Sequence, residues 1–221
     1  MIRLFTGYDF REAVGWGAFA HSVMQRTSQP VALIPLSGPQ ADGSNAFTYA
    51  RFLVPKLCEY EGWAIFADGS DMVCLADIAE LWALRDTRYA VQVVKHAYQP
   101  KSAVKYVGTP MECRNVAYAK KNWSSLVLWN CAHPKAKYQI TESSLGLHQF
   151  QWLAEEDIGE LPIEWNWLCD EYGGNPEAKI LHWTCGIPAF WEYRETPMAS
   201  AWFAEYWNTQ AGLQLEKGVA V

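Results

Sequence analysis

Two carboxylates three residues apart, Asp68 and Asp71, follow the apolar run Trp63-Ala64-Ile65-Phe66-Ala67, with Gly69-Ser70 between them. Asp is short and its oxygens are hard donors, so a tight turn carrying two of them can converge on one divalent cation. A cation held there acts as Lewis acid and template and offsets the charge of a diphosphate leaving group. The same residues also make an ordinary exposed exit from a strand. His182, in Leu181-His182-Trp183-Thr184-Cys185-Gly186, is the third group of interest. Beside apolar neighbours it is either a satisfied core side chain or, if it meets Asp71 in space, a nitrogen ligand that favours manganese over calcium. Gly186 either lets backbone approach a phosphate closely or serves a plain turn.

Further polar groups sit at element ends. Thr6-Gly7-Tyr8 follows the first apolar run, where Tyr8 can stack on a base and the start of the next helix can favour an anion. Arg51 lies in an otherwise apolar segment and can pair with a phosphate or an Asp. Lys120-Lys121-Asn122-Trp123-Ser124-Ser125 puts Asn122 and two serines before a strand, as sugar-hydroxyl partners or as a solvated turn. Lys95-His96 and His148-Gln149 are similar, weaker placements. No GxSxG, phosphate-binding glycine loop or nucleophilic triad is present in the sequence.

The elements that must position these groups read as alternating strands and helices. Strands are expected at Ile2–Phe5, Val31–Leu36, Trp63–Ala67 and Tyr89–Val94. A first helix is capped by Asp9 with Glu12 closing a capping box, and Ala13, Trp16, Gly17, Ala20 and Met24 recur along it. Thr48–Tyr60 reads as a helix bent or interrupted at Pro55. Asp77 and Glu80 form a second capping box ahead of inward-facing Ile78, Leu81 and Trp82. The loop Ser37–Ser44 is broken by Gly38, Pro39 and Gly43. Later come strands at Ser125–Trp129 and Ile180–Trp183, a helix at Ala199–Trp207 and a loose tail to Val221. This order favours a mostly parallel sheet covered by helices, whose strand ends are where ligands bind.

The chain has 221 residues, half of them hydrophobic, enough for one domain. Its net charge of −6 argues against a nucleic-acid scaffold but not against a phosphate ligand that arrives with a cation. Twelve Trp residues suit a bulky core or sugar stacking. Six cysteines form no CxxC pair. With no signal-like start and no membrane-length apolar run, a cytoplasmic protein is expected, peripheral membrane contact remaining open.

In order, Thr6-Gly7-Tyr8, Tyr49-Ala50-Arg51-Phe52, Ala64 through Leu81, Asn122 through Asn130 and His182-Trp183-Thr184-Cys185-Gly186 resemble nucleotide-sugar glycosyltransferases of the glycogenin and lipopolysaccharide-galactosyltransferase type. Runs such as Phe47 through Pro55, Lys121 through Ser125, and Ile158 through Pro162 with Trp165-Asn166 resemble a bacterial and phage-associated group within it. The resemblance spans about residues 1–195.

It implies a single-domain α/β fold of the GT-A type, with a mostly parallel mixed central sheet flanked by helices. The nucleotide-binding half would be about residues 1–100 and the acceptor half about 101–210. It implies a hexosyltransferase that uses manganese or magnesium and a nucleotide-sugar donor, UDP-linked first among them. The acceptor would be a glycan, lipid or protein, with retention of configuration and no nucleic-acid partner. Asp71 would be the main metal ligand, Asp68 would contact metal or ribose, and His182 would be the third ligand. Thr6, Gly7 and Tyr8 would line the uridine pocket, and Arg51 would steady the Asp turn or the diphosphate. Asn122, Ser124 and Gln149 would face the donor sugar, Asp71 and Gln149 carrying catalysis, and Gly186 would approach phosphate.

The chain departs from the family at two places. The family has one residue between its aspartates, whereas this chain has Gly69-Ser70. Either the turn bulges and keeps both carboxylates, or Asp68 and Ser70 take the usual places, or metal binding is weakened. The Lys-Pro-Trp that follows the histidine in the family is replaced by Gly186-Ile187-Pro188-Ala189-Phe190, which removes a phosphate contact. A nucleotide- or carbohydrate-binding protein with degraded catalysis is the alternative.

Overall fold

A computed structural model describes residues 1–38, 45–138 and 144–210. Most of the expected loop Ser37–Ser44 and the tail beyond Gln210 lie outside the described residues. In chain order the elements are β1 (Ile2–Gly7), α1 (Ala13–Arg26), β2 (Val31–Leu36), α2 (Val54–Leu57), β3 (Trp63–Ala67), β4 (Met72–Cys74), α3 (Ile78–Ala83), β5 (Val91–Val93), β6 (Val104–Lys105), β7 (Cys113–Arg114), β8 (Leu126–Asn130), α4 (Ser144–His148), β9 (Ile158–Glu160), β10 (Trp167–Leu168), α5 (Cys169–Tyr172), β11 (Ile180–His182) and α6 (Ala199–Gln210).

The central sheet has the order β2-β1-β3-β8-β5-β9. Its pairs are parallel except for the two that β8 makes, so it is a mostly parallel mixed sheet. Both faces are covered. Phe5, Ala64, Phe66, Val91, Val127 and Trp129 enter one core with Phe47, Phe52 and Phe150. Leu4, Ile65, Ala67, Leu126 and Leu128 enter the other with Phe19 and Val23 of α1. A strand buried on both sides needs apolar residues at every position, which is why Trp63–Ala67 reads as a continuous run and not an alternation.

A small second sheet, β10-β11-β4, lies beside the first. Within it β4 and β11 are antiparallel, with Met72 opposite His182. Val73, Leu181 and Trp183 pack there against Ala18 of α1 and Trp202 of α6. β6 and β7 form a separate hairpin, Lys105 opposite Cys113.

Several expectations are corrected. Asp9 and Asp77 do cap, accepting from Arg11 N and Ala79 N, but neither capping box closes. Glu12 is buried without a hydrogen-bond partner, and Glu80 reaches instead to Lys179 Nζ at 2.5 Å. The inward face of α1 is Gly15, Ala18, Phe19, Ser22 and Val23, while Met24 is exposed. Pro55 does not interrupt a helix. It stands in the first turn of the short α2, after a 3-10 turn over Ala50–Leu53, a place where its missing N–H costs nothing.

Gly15 marks where α1 touches the Asp turn, because a Cβ added there would collide with the carbonyl oxygen of Ser70. Backbone cannot yield as a side-chain tip does. Gly15→Ala should lose about 1–3 kcal/mol, seen as a lower urea midpoint. Gly17→Ala, with open space around its Cβ, should be neutral or stabilising by about 0.5–1 kcal/mol.

Candidate metal and diphosphate site

Asp68 and Asp71 lie on the link from β3 of the central sheet to β4 of the small one. Asp68 N donates to Ser125 O at 2.8 Å, continuing the β3–β8 ladder. The turn then tightens. Ser70 N donates to Asp68 O at 2.8 Å and Met72 N to Gly69 O at 3.1 Å, with Gly69 at φ +72°, a conformation only glycine adopts readily. Ser70 is turned inward, its hydroxyl donating to Gly7 O at 3.2 Å. The extra residue is therefore absorbed as a bulge, and both carboxylates are kept.

Strand register delivers the third group. The β4–β11 pairing sets His182 opposite Met72, and Trp183 N donates to Asp71 O at 2.9 Å. His182 Nε2 then lies 3.2 Å from Asp71 Oδ2. One oxygen each of Asp68 and Asp71 and one nitrogen of His182 lie within 4.8 Å of one another.

A chain of hydrogen bonds fixes the imidazole. Ser125 Oγ donates to Asn122 O at 2.7 Å, so it accepts from Asn166 Nδ2 at 2.8 Å. That leaves Asn166 Oδ1 to accept from His182 Nδ1 at 2.9 Å. Nδ1 thus carries an N–H, and Nε2 is the ring nitrogen that faces Asp71 Oδ2. A lone pair facing a carboxylate at 3.2 Å is repulsive unless a proton or a cation lies between them. The remaining oxygen of Asp71, Oδ1, is buried with no hydrogen-bond partner. Oxygens from two aspartates plus an imidazole nitrogen suit manganese or a similar borderline dication, and these residues fit one.

Charges around the turn are partly balanced. Arg51 Nη1 lies 2.6 Å from Asp68 Oδ1, an ion pair without hydrogen-bond alignment that leaves this oxygen acceptor capacity. The same guanidinium donates to Ser124 O at 3.0 Å and sits over the rings of Phe47 and Phe66. Burial pushes the Asp68 carboxyl up to about 6 despite Arg51, with Asp71 pushing the same way. Burial opposes ionisation of Asp71 too, yet a proton on His182 Nε2, in the place a cation would take, holds it below the ordinary carboxylate range.

A cleft of about 270 Å³ opens over the cluster, lined by Asp68, Asp71, His182, Arg51, Lys105, Asn122 and Ser124 among others. Asn122, at φ +62°, donates its amide to Tyr98 Oη at 2.7 Å. The Ser124 hydroxyl meets His148 Nδ1 at 2.6 Å. His148, not its neighbour Gln149, lines the cleft, and Gln149 Oε1 accepts from Gln151.

Thr6 is buried, its hydroxyl accepting from Trp16 Nε1 at 2.9 Å. The ring of Phe47 fills the space a side chain at Gly7 would need, and Tyr8 packs edge-on against Trp16. Gly186 leaves room for the ring of Tyr193. None of these four lines the cleft beside the cluster. Sequence reading missed the ring-orienting role of Asn166 and the wall formed by Lys105, Tyr106, Tyr118 and Lys121. Asn166 is brought to His182 by the parallel pairing of β10 with β11, two-residue contacts that carry no periodic signal.

Protein CDI of Arabidopsis thaliana is 38% identical to this chain over 225 residues, covering 92% of the chain and 85% of that protein. The chain belongs to the Protein CDI family. No protein-family model matches it.

Among solved structures, the galactosyltransferase LgtC in complex with donor and acceptor sugar analogs superposes with a TM-score of 0.65 at 10% identity, covering 94% of this chain and 96% of LgtC. The Streptococcus pneumoniae TIGR4 glycosyltransferase GlyE gives 0.61 at 12% identity, covering 93% of this chain and 61% of GlyE. The bifunctional glycosyltransferase WbbM gives 0.58 at 16%, covering 94% of this chain. The chain spans about half the length of WbbM. The fold is that of these glycosyltransferases, in agreement with the resemblance in the sequence. Among the described residues no helix is long and apolar enough to cross a membrane.

Two outcomes test the cluster. Asn166→Ala removes the acceptor for the ring N–H and should weaken Mn²⁺ binding about 10- to 100-fold in a calorimetric titration. Asn166→Asp, which retains an acceptor, should lose less. Protons and the cation compete for Asp68. Apparent Mn²⁺ affinity should hold between pH 8 and 7 and fall roughly tenfold per unit below about pH 6. A flat profile from pH 7 to 5 would remove Asp68 from the ligand set.

Proposed function

We propose that this chain is a metal-dependent glycosyltransferase that moves a sugar from a nucleoside diphosphate, UDP first among candidates, to a hydroxyl of an acceptor, with retention of configuration. The observation that carries this reading is the convergence of Asp68, Asp71 and His182 at the end of β3, with Asp71 Oδ1 unpartnered and His182 Nε2 facing Asp71 Oδ2. The fold shared with LgtC and GlyE supports it.

Asp71 and His182 would be the principal ligands of manganese or magnesium, with Asp68 the third. A dication bound there supplies Lewis-acid stabilisation of the diphosphate as its bond to the sugar breaks. Arg51 keeps Asp68 in place and balances its charge. Asn166 holds the His182 ring so that Nε2 stays available. Asn122 and Ser124, each tied to an aromatic partner, stand at the wall where hydroxyls of the donor sugar would be read. The acceptor oxygen attacks the face from which the diphosphate leaves, and its proton passes to that departing group.

A nucleotide-binding protein without turnover is the second reading, favoured by Gln149, whose amide is engaged with Gln151 outside the cleft. One assay separates them. The purified chain, MnCl₂ and a panel of radiolabelled nucleotide sugars with sugar acceptors should give transfer or slow donor hydrolysis. EDTA should abolish it and Asp71→Asn should reduce it about 100-fold or more. Metal-dependent UDP binding with no turnover across the panel would favour the second reading.

A further inference from the structure

We propose that Lys105, on the β6–β7 hairpin, is the side chain that grips the donor diphosphate opposite the Asp68–Asp71–His182 cluster; this deepens the transferase reading and rests on it.

The hairpin is fixed to the body close to the histidine. Tyr106 N donates to Cys185 O at 2.6 Å and Val107 N to Tyr193 Oη at 2.9 Å, while Asn115 N donates to Ala103 O at 2.9 Å and extends the hairpin's own ladder. Tyr106 itself is buried. Lys105 therefore leaves from backbone held, at the next residue, to Cys185, three positions after His182 in the chain, and its side chain lines the same cleft as both aspartates and the imidazole.

The other cations of that cleft are occupied or solvated. Arg51 is committed to Asp68 and to Ser124 O. Lys121 Nζ donates to Val116 O at 2.9 Å. Arg114 is exposed. Among the described residues Lys105 makes no ion pair and no hydrogen bond, its ammonium resting only against the ring of Tyr106 at 5.4 Å. A half-buried ammonium that faces two carboxylates and pairs with neither is available to an anion entering between them.

The charge count points the same way. Asp68 and Arg51 cancel. A dication on Asp71 leaves one positive charge, and the diphosphate of a nucleotide sugar brings two negative ones. One negative charge remains near the cluster, and of the cleft's uncommitted cations Lys105, half-buried where Arg114 is exposed, is placed to meet it. An ammonium on a flexible stem also follows phosphate oxygens as they move, and a charge-assisted bond of this kind is among the stronger ones.

The test is calorimetric titration of the full chain with Mn²⁺ alone, with uridine, and with UDP in saturating Mn²⁺. Lys105→Met should weaken UDP–Mn²⁺ binding about 10- to 100-fold and leave Mn²⁺ and uridine affinities within about twofold. Lys105→Arg should recover most of the loss. Equal UDP–Mn²⁺ binding by the parent and Lys105→Met overturns the assignment alone. So does a loss that falls equally on uridine or on Mn²⁺. If the parent binds none of UDP, GDP, CDP or ADP with Mn²⁺, the transferase reading falls and takes the assignment with it.

Discussion

The 3.2 Å approach of His182 Nε2 to Asp71 Oδ2 is the contact on which the arrangement of the site depends. It joins residues 111 positions apart, and no local preference brings them together. What does so is the antiparallel pairing of β4 with β11. A shift of that pairing by one residue would turn His182 to the opposite face of its strand and dissolve the cluster. The apolar partners Val73, Leu181 and Trp183, packed against α1 and α6, oppose such a shift, because slipping would expose them. The buried hydrophobic face of the small sheet thus holds the polar contact in register.

Four carboxylates, Asp9, Glu12, Asp68 and Asp71, are near enough to influence one another electrostatically, and each is treated differently. Asp9 is paired with Arg11 and accepts from the Ala46 backbone N–H. Asp68 is paired with Arg51. Among the described residues the Glu12 carboxyl has neither ion pair nor hydrogen bond, and burial, with the charges of Asp71 and Asp9 adding to it, pushes it well above the ordinary range, toward its neutral form. Asp71 alone keeps a charge that no permanent cation cancels. Two ion pairs and one carboxyl shifted toward its neutral form leave Asp71 facing an imidazole nitrogen, an arrangement in which a dication can take the place of a proton.

The sequence disclosed elements wherever composition alone decides them. β2 and β3 lie where apolar runs end at Gly, Pro or Asp, and Asp9 and Asp77 cap as their residue type dictates. The chemistry-bearing turn was visible for the same reason, since two carboxylates after a five-residue apolar run are conspicuous. The inward face of α1 was not visible. Val14, Trp16 and Met24 compete with Phe19 and Val23 for the core, and contact with the Asp turn, which admits only Gly15, decides between them. β6, β7 and β10 are two residues long, too short for a period-two pattern. The wall of the site carried by the β6–β7 hairpin, Lys105 included, was hidden with it. Whether Gly69-Ser70 bulges also lay beyond sequence, because it depends on Ser70 finding the carbonyl of Gly7.

The bonds that orient His182 also reach the other side of the cleft. From Asn166 they run to Ser125, from Ser125 to the Asn122 carbonyl, and from the Asn122 amide to Tyr98. Asn122 holds a left-handed backbone at φ +62°, a conformation that costs of order 1 kcal/mol for a residue other than glycine and is met here by bonds on both its carbonyl and its side chain. Moving Asn122 to accommodate a ligand would therefore disturb Ser125, then Asn166, then the proton on His182. Buried networks of this kind resist partial rearrangement, because each broken link leaves a donor or acceptor unsatisfied. The wall facing the sugar and the ligands facing the cation behave as one mechanical unit. A change in the geometry of one is transmitted to the electronic state of the other through three side chains.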